Sequence, residues 1–129
     1  MTKIPVPDEV RRFILTSVPS VPYLEALLLL RSQPHVLWDA QALARRLYVP
    51  EIQGLELLQA LAASGIAERD EQGRFFFSPT SDDMRVLLDR LADTYTSDLV
   101  GVTDLIHSRL DKRAMQFADA FRFKKKEGG

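Results

Sequence analysis

Few side chains in this 129-residue sequence are of types and spacings that support chemistry. The two histidines, His35 and His107, lie far apart, and neither stands in a metal-binding spacing such as H-E-x-x-H. Asp89, Asp93 and Asp104 fall at helical intervals. Paired carboxylates can move protons, but no neighbouring residue offers a nucleophile or an oxyanion donor. They read as the wet face of a helix. The sequence lacks a glycine-rich phosphate loop and a G-x-S-x-G elbow. With no cysteine, disulfides, thiol catalysis and cysteine-ligated zinc are excluded. The expectation is a protein that is not an enzyme and holds no metal and no cofactor.

The remaining candidates are binding groups. Arg45, Arg46, Arg69 and Arg74 could hold phosphates, and Gln53 and Gln59 could touch base edges. Glu51 and Glu56 oppose a polyanion, and Ile52 and Leu55 beside them are apolar. The net charge is -1. From Pro22 to Pro79 five basic residues face seven acidic; from Asp82 to Asp111, three face seven; from Lys112 to Lys126, six face one. Positive charge therefore collects at FRFKKK and not near the arginines. That tail could touch an anionic membrane or an RNA backbone, add solubility, or lie along the acidic helix of a second copy.

The elements that carry these groups follow from caps and periodicity. A first helix is expected from Asp8 to Leu15, with Val10, Phe13 and Ile14 inward. A second starts near Pro22 and is apolar around most of its circumference, so it is expected to be deeply buried. Asp39 can cap AQALARRLY, with Ala42, Leu43 and Leu47 inward. Val49-Pro50 turns into a third helix of this group, which ends at Ser64-Gly65 with Gly65 as a left-handed cap. In that helix Leu57, Leu58 and Leu61 are expected in the core, and Gly54 allows close helix approach. Ile52 and Leu55 then face outward, unless the helical phase is shifted and both are interior.

IAERD and RFFFS flank Glu71-Gln72-Gly73 as a β-hairpin, with Phe75 and Phe77 on one face and Phe76 on the other. The alternative for the three phenylalanines is a stacking platform for single strands. After Thr80-Ser81 comes an apolar stripe that includes Leu88, Leu91, Tyr95, Leu99, Val102 and Ile106. Unbroken, it would extend roughly 40 Å; Thr94 to Ser97 and Gly101 are places for a break. RAMQFADAFRF repeats the pattern before a basic end. No apolar run could span a bilayer, no signal peptide is evident, and a cytoplasmic location is expected. The division is residues 1–21, an N-terminal helix and linker; 22–79, a domain; 80–123, a helical extension; and 124–129, a basic tail.

The segment from Tyr23 to Pro79 resembles the winged helix-turn-helix domains of small bacterial transcription regulators. The resemblance lies in Leu43-Ala44-Arg45-Arg46-Leu47, a short turn, then Leu58, Leu61, Gly65, Ile66, Glu68 and Arg69. It covers somewhat under half the chain. It implies a mainly α (α+β) fold, a winged helix with a two-stranded wing and a long C-terminal helical extension. In that family the third helix enters the major groove, and the matching positions here are Glu51, Ile52, Gln53, Leu55, Glu56 and Gln59. The long helix is similar to the dimerising helices of such regulators, which implies a homodimer through Leu88, Leu91, Tyr95, Leu99, Val102 and Ile106.

Three functions are therefore expected, in this order. The first is a regulatory protein in bacterial transcription that works through protein contacts of Glu51, Ile52, Leu55 and Glu56 with an unknown partner. The second is a DNA-binding regulator using Arg45, Arg46, Arg69, Arg74, Gln53 and Gln59, with weak duplex binding. The third is a membrane- or RNA-associated adaptor using the basic tail; of the two, membrane is the less favoured.

Overall fold

A computed structural model describes residues 6–108. Five helices and a hairpin come in the order α1 (Asp8–Ser17), α2 (Val21–Ser32), α3 (Ala40–Leu47), α4 (Glu51–Ala63), β1 (Ala67–Arg69), β2 (Phe75–Phe77) and α5 (Asp82–Ser97). A further helix, α6, covers residues 99–108 of the described chain. The molecule is mainly helical, with one small antiparallel sheet.

Short polar side chains start most of these helices. Ser20 accepts from the Tyr23 amide at 3.2 Å, with Pro22 in the first turn; Asp39 accepts from Ala42 at 2.7 Å; Ser81 accepts from Met84 at 3.1 Å. Each bond satisfies a backbone donor that has no partner inside its helix. The expected long helix breaks once, at Asp98. Before the break, the hydroxyls of Thr94, Thr96 and Ser97 bond back to carbonyls one turn earlier, which favours bending. Asp98 then turns out of helical geometry, and its carboxylate accepts from the Gly101 amide at 3.0 Å, starting α6.

The core has α2 at its centre. Leu24, Leu27 and Leu30 are fully buried, as are Val10 and Ile14 of α1, Leu43 of α3, and Leu58 and Leu61 of α4. Leu88 and Leu91 of α5 and Val102 and Ile106 of α6 join this same core. The first and last described helices are thus built onto one hydrophobic interior. Glu9 pairs with Arg90 between α1 and α5, and Arg31 pairs with Asp89 at 2.9 Å between α2 and α5.

The hairpin pairs Ala67 with Phe77, Glu68 with Phe76 and Arg69 with Phe75. Phe75 and Phe77 are buried and Phe76 is half-buried, as strand alternation requires. The packing reading of these phenylalanines is therefore the one the structure adopts. Asp70 closes the loop by accepting from the amides of Gln72 and Arg74, at 3.0 and 2.8 Å, and Gly73 takes a positive φ of 83°. Trp38 adds one bridge on the other edge of β2. Its amide donates to the Phe75 carbonyl and its carbonyl accepts from the Phe75 amide, both at 2.7 Å. Gly65 has φ 76°, and Ile66 N–H donates back to the Leu61 carbonyl at 3.0 Å, as expected for a left-handed helix end.

Candidate functional site

The outward side of α4 is the place where exposed apolar and charged groups meet. Helix phase is set by what lies beneath: Leu57, Leu58 and Leu61 are buried, and Gly54 sits against α3. A Cβ at Gly54 would lie 2.5 Å from the Ala40 carbonyl oxygen and 3.2 Å from the Ala44 Cβ. Only hydrogen fits there, so α3 and α4 pack backbone to backbone. That fixes the opposite side of α4 outward. Ile52 is 70% exposed and Leu55 39% exposed. Glu51, Glu56 and Gln59 are exposed with them, and Gln53 is partly covered. Of the two placements open from the sequence, the outward one is the structure's.

Beside this pair is a shallow depression of about 360 Å³, lined by Ala40, Glu51, Ile52 and Leu55. It joins the start of α3 to the start of α4. Its floor is apolar and its edge carries a carboxylate. Tyr48 stands four residues before Ile52. It caps α3 in the left-handed conformation, with φ 58° and ψ 46°, and is 94% exposed. A bulky residue in that region is strained, and this side chain recovers nothing by burial. Sequence reading placed Tyr48 as the last residue of the helix and missed both features. The far end of α4 is tied down by the Tyr23 hydroxyl, 3.0 Å from the Ser64 hydroxyl. Burial pushes the Tyr23 hydroxyl above its ordinary value, and the Ser64 bond draws it partly back.

The arginines do not form a comparable surface. Arg46 lies over the Trp38 ring at 5.9 Å and Arg69 over the Phe75 ring at 5.8 Å. Arg74 is 3.4 Å from the Asp70 carboxylate. Arg45 is exposed and has no ion pair among the described residues. Three of the four cations expected to hold phosphates are therefore turned to groups of their own chain. A cation over a ring keeps its charge, but the Asp70 pair cancels that of Arg74 locally.

The expected dimer stripe is largely interior. Leu88, Leu91, Val102 and Ile106 are fully buried inside one chain and cannot also present a surface to a second. The physical reason is the break at Asp98, which lets α5 and α6 both turn their apolar sides onto the same core. Leu99 remains 49% exposed, with Val100 beside it, and Tyr95 is half-buried. His35 and His107 are both exposed, and no metal-binding group of three His, Asp or Glu occurs among the described residues. No single described helix is long and apolar enough to cross a membrane. RAMQFADAFRF and the KKK tail lie outside the described residues.

Compared with known proteins, the chain matches no family model and gives no significant sequence match to a curated protein.

Proposed function

We propose that this chain is a winged-helix module of bacterial transcription regulation that acts through protein contacts of α4 and not through catalysis. The order α2, α3, tight turn, α4, hairpin supports the winged-helix reading, as does the Trp38 bridge that adds a third extended segment to the hairpin. One observation carries the functional reading: Ile52 and Leu55 lie exposed between Glu51 and Glu56, on the helix that such domains present to their target. Apolar side chains gain by burial against another apolar surface, at roughly 25 cal/mol per Å². Carboxylates facing a phosphate backbone are repelled. The surface suits a protein and opposes a polyanion. Strained, exposed Tyr48 extends it. A homodimer, on this reading, would draw on Leu99, Tyr95 and Val100 and not on the whole stripe.

A titration and a retention experiment test the proposal against the DNA-binding alternative. With duplex DNA at low and moderate salt, the expected result is no binding tighter than the nonspecific range of about 10⁻⁴ to 10⁻⁶ M. Tighter binding that disappears in Arg45→Ala/Arg46→Ala would replace this reading with the alternative. With tagged full-length chain as bait, a protein retained by the wild type and released by Leu55→Asp is the expected result. Retention unchanged in Leu55→Asp would remove α4 from the function.

A further inference from the structure

The face formed by α3 and α4 carries a protrusion and a hollow of matching chemistry. Tyr48 is the protrusion. It is held by a left-handed backbone that tyrosine rarely adopts, and at 94% exposure its ring is not seated in its own chain's hollow. The hollow is the depression of about 360 Å³ lined by Ala40, Glu51, Ile52 and Leu55. That volume is at the lower end of the roughly 300–1,000 Å³ found for pockets that hold small molecules. A phenol suits its lining, with the ring against Ile52 and Leu55 and the hydroxyl donating to the Glu51 carboxylate.

The charges of this face are matched in the same way. Arg45 is exposed one turn before Tyr48, Glu56 is exposed one turn beyond Ile52, and neither has an ion pair among the described residues. In chain order, a cation and a carboxylate thus flank the ring and the hollow. The stretch from Asp82 to Asp111 is the more acidic, seven to three. Its carboxylates are partly engaged, however: Asp89 pairs with Arg31, and Asp82 and Asp83 lie in the first turn of α5, where the helix amides already favour negative charge. Net charge therefore does not select the surface; paired shape and paired charge do. Leu99 and Val100 of α6 are exposed too, but an apolar patch by itself does not name its partner.

We propose that this face makes a two-fold contact with a second copy of the chain, each Tyr48 seated in the other copy's hollow and each Arg45 against the other copy's Glu56. A two-fold contact uses one patch twice, so every feature must find its complement on that same patch. A protruding ring, a hollow, a cation and two carboxylates meet that condition. The left-handed end of α3 then holds the ring out where the second copy receives it. The proposal rests on α4 being a contact face, and it names what covers that face.

Sedimentation equilibrium of the full chain tests this. The expected result is a reversible dimer whose dissociation constant rises about thirtyfold in Tyr48→Gly, the loss typical of a central aromatic anchor. Unfolding is compared well below that constant, where wild type and variant are both monomers and the fold alone is read. Arg45→Glu and Glu56→Arg each weaken the dimer, because like charges then meet twice. Mixed one to one, these two variants associate about as tightly as the wild type, because the exchanged charges again meet their opposites. Leu99→Asp leaves the dimer unchanged. A wild-type chain that stays monomeric to about 1 mM would overturn the proposal, as would a dimer indifferent to Tyr48→Gly or a mixture no tighter than the single variants. Loss of the dimer in Leu99→Asp would move the contact to α6. If the chain is monomeric while Leu55→Asp still releases another protein, α4 remains a contact face and only the second copy is removed from it. If the dimer behaves as expected but the wild type retains no other protein, the two-fold contact stands and the regulatory reading of α4 falls.

Discussion

Two apolar stripes of this molecule have opposite fates. Along α5 and α6, Leu88, Leu91, Val102 and Ile106 are fully enclosed by the chain's own core. Along α4, Ile52 and Leu55 lie outside, between two glutamates. Spacing alone made the first stripe look like the interaction surface, because it was long. Length misled: a bend at Asp98 folds a long stripe onto a compact core. The second stripe is short, but Gly54 and the leucines beneath it leave no room for Ile52 and Leu55 inside. An apolar periodicity says that a face is covered; it does not say by what. What decides is which neighbouring positions of the same helix are already spent on the core.

The largest expected effect breaks or confirms the interior assignment. Leu91→Ala removes a fully buried side chain and should cost about 2–5 kcal/mol of unfolding free energy in urea titration. The difference in melting temperature from the wild type should be the same at both ends of a hundredfold range of protein concentration, because the cavity is made within one chain. A difference that changes with concentration would mean that a second copy completes the core, and the contrast between the stripes would collapse.

Next is the seam that turns the α4 stripe outward. Gly54→Ala gains about 1 kcal/mol of helix propensity but places a methyl 2.5 Å from a backbone carbonyl that cannot rotate away. Overpacking of this kind costs about 1–3 kcal/mol, so a net loss of stability is expected in the same titration. A gain would show that α3 and α4 are spaced more widely, and would free Ile52 and Leu55 to turn inward.

How far these features were legible depended on whether the signal was local. The cap at Asp39, the left-handed Gly65 and the inward Phe75 and Phe77 were readable, because each follows from a residue and its immediate neighbours. So was the close approach at Gly54. The Trp38 bridge was not, since a single pair of backbone hydrogen bonds leaves no alternation in the sequence. Nor were the partners of the arginines: Trp38, Phe75 and Asp70 reach them only after the chain has folded. Tyr48 was missed because left-handed caps are read from glycine and asparagine, and tyrosine carries no such mark.

Tyr48 provides the third and smaller effect. Glycine adopts φ 58° freely, although it also loses more freedom on folding. Release of the left-handed strain costed at about 1–3 kcal/mol outweighs that loss, so Tyr48→Gly should shift the urea midpoint upward, by up to about 1 kcal/mol in stability. The same variant should weaken partner retention on the α4 side. Lower stability would instead mean that the ring supports the fold, and Tyr48 would then belong with the interior stripe and not with the exposed one.

The smallest expected change in stability sharpens the comparison most. Ile52 is 70% exposed and sits on a helix surface that already carries Glu51 and Glu56. Ile52→Asp loses little buried area and adds one more like charge near its neighbours. Surface changes of this kind usually stay within about 0.5 kcal/mol, so the thermal and urea transitions should nearly superimpose on those of the wild type. Anything that docks there by apolar contact should nevertheless be lost, because an aspartate would be desolvated against it without a partner. The diagnostic is the separation of the two readouts: an unchanged melting curve with an abolished contact. At Leu91 the same replacement by aspartate should abolish both together, since the fold and the stripe there are one object. Should Ile52→Asp unfold the chain as Leu91 variants do, the two stripes are equivalent and α4 is simply another core helix.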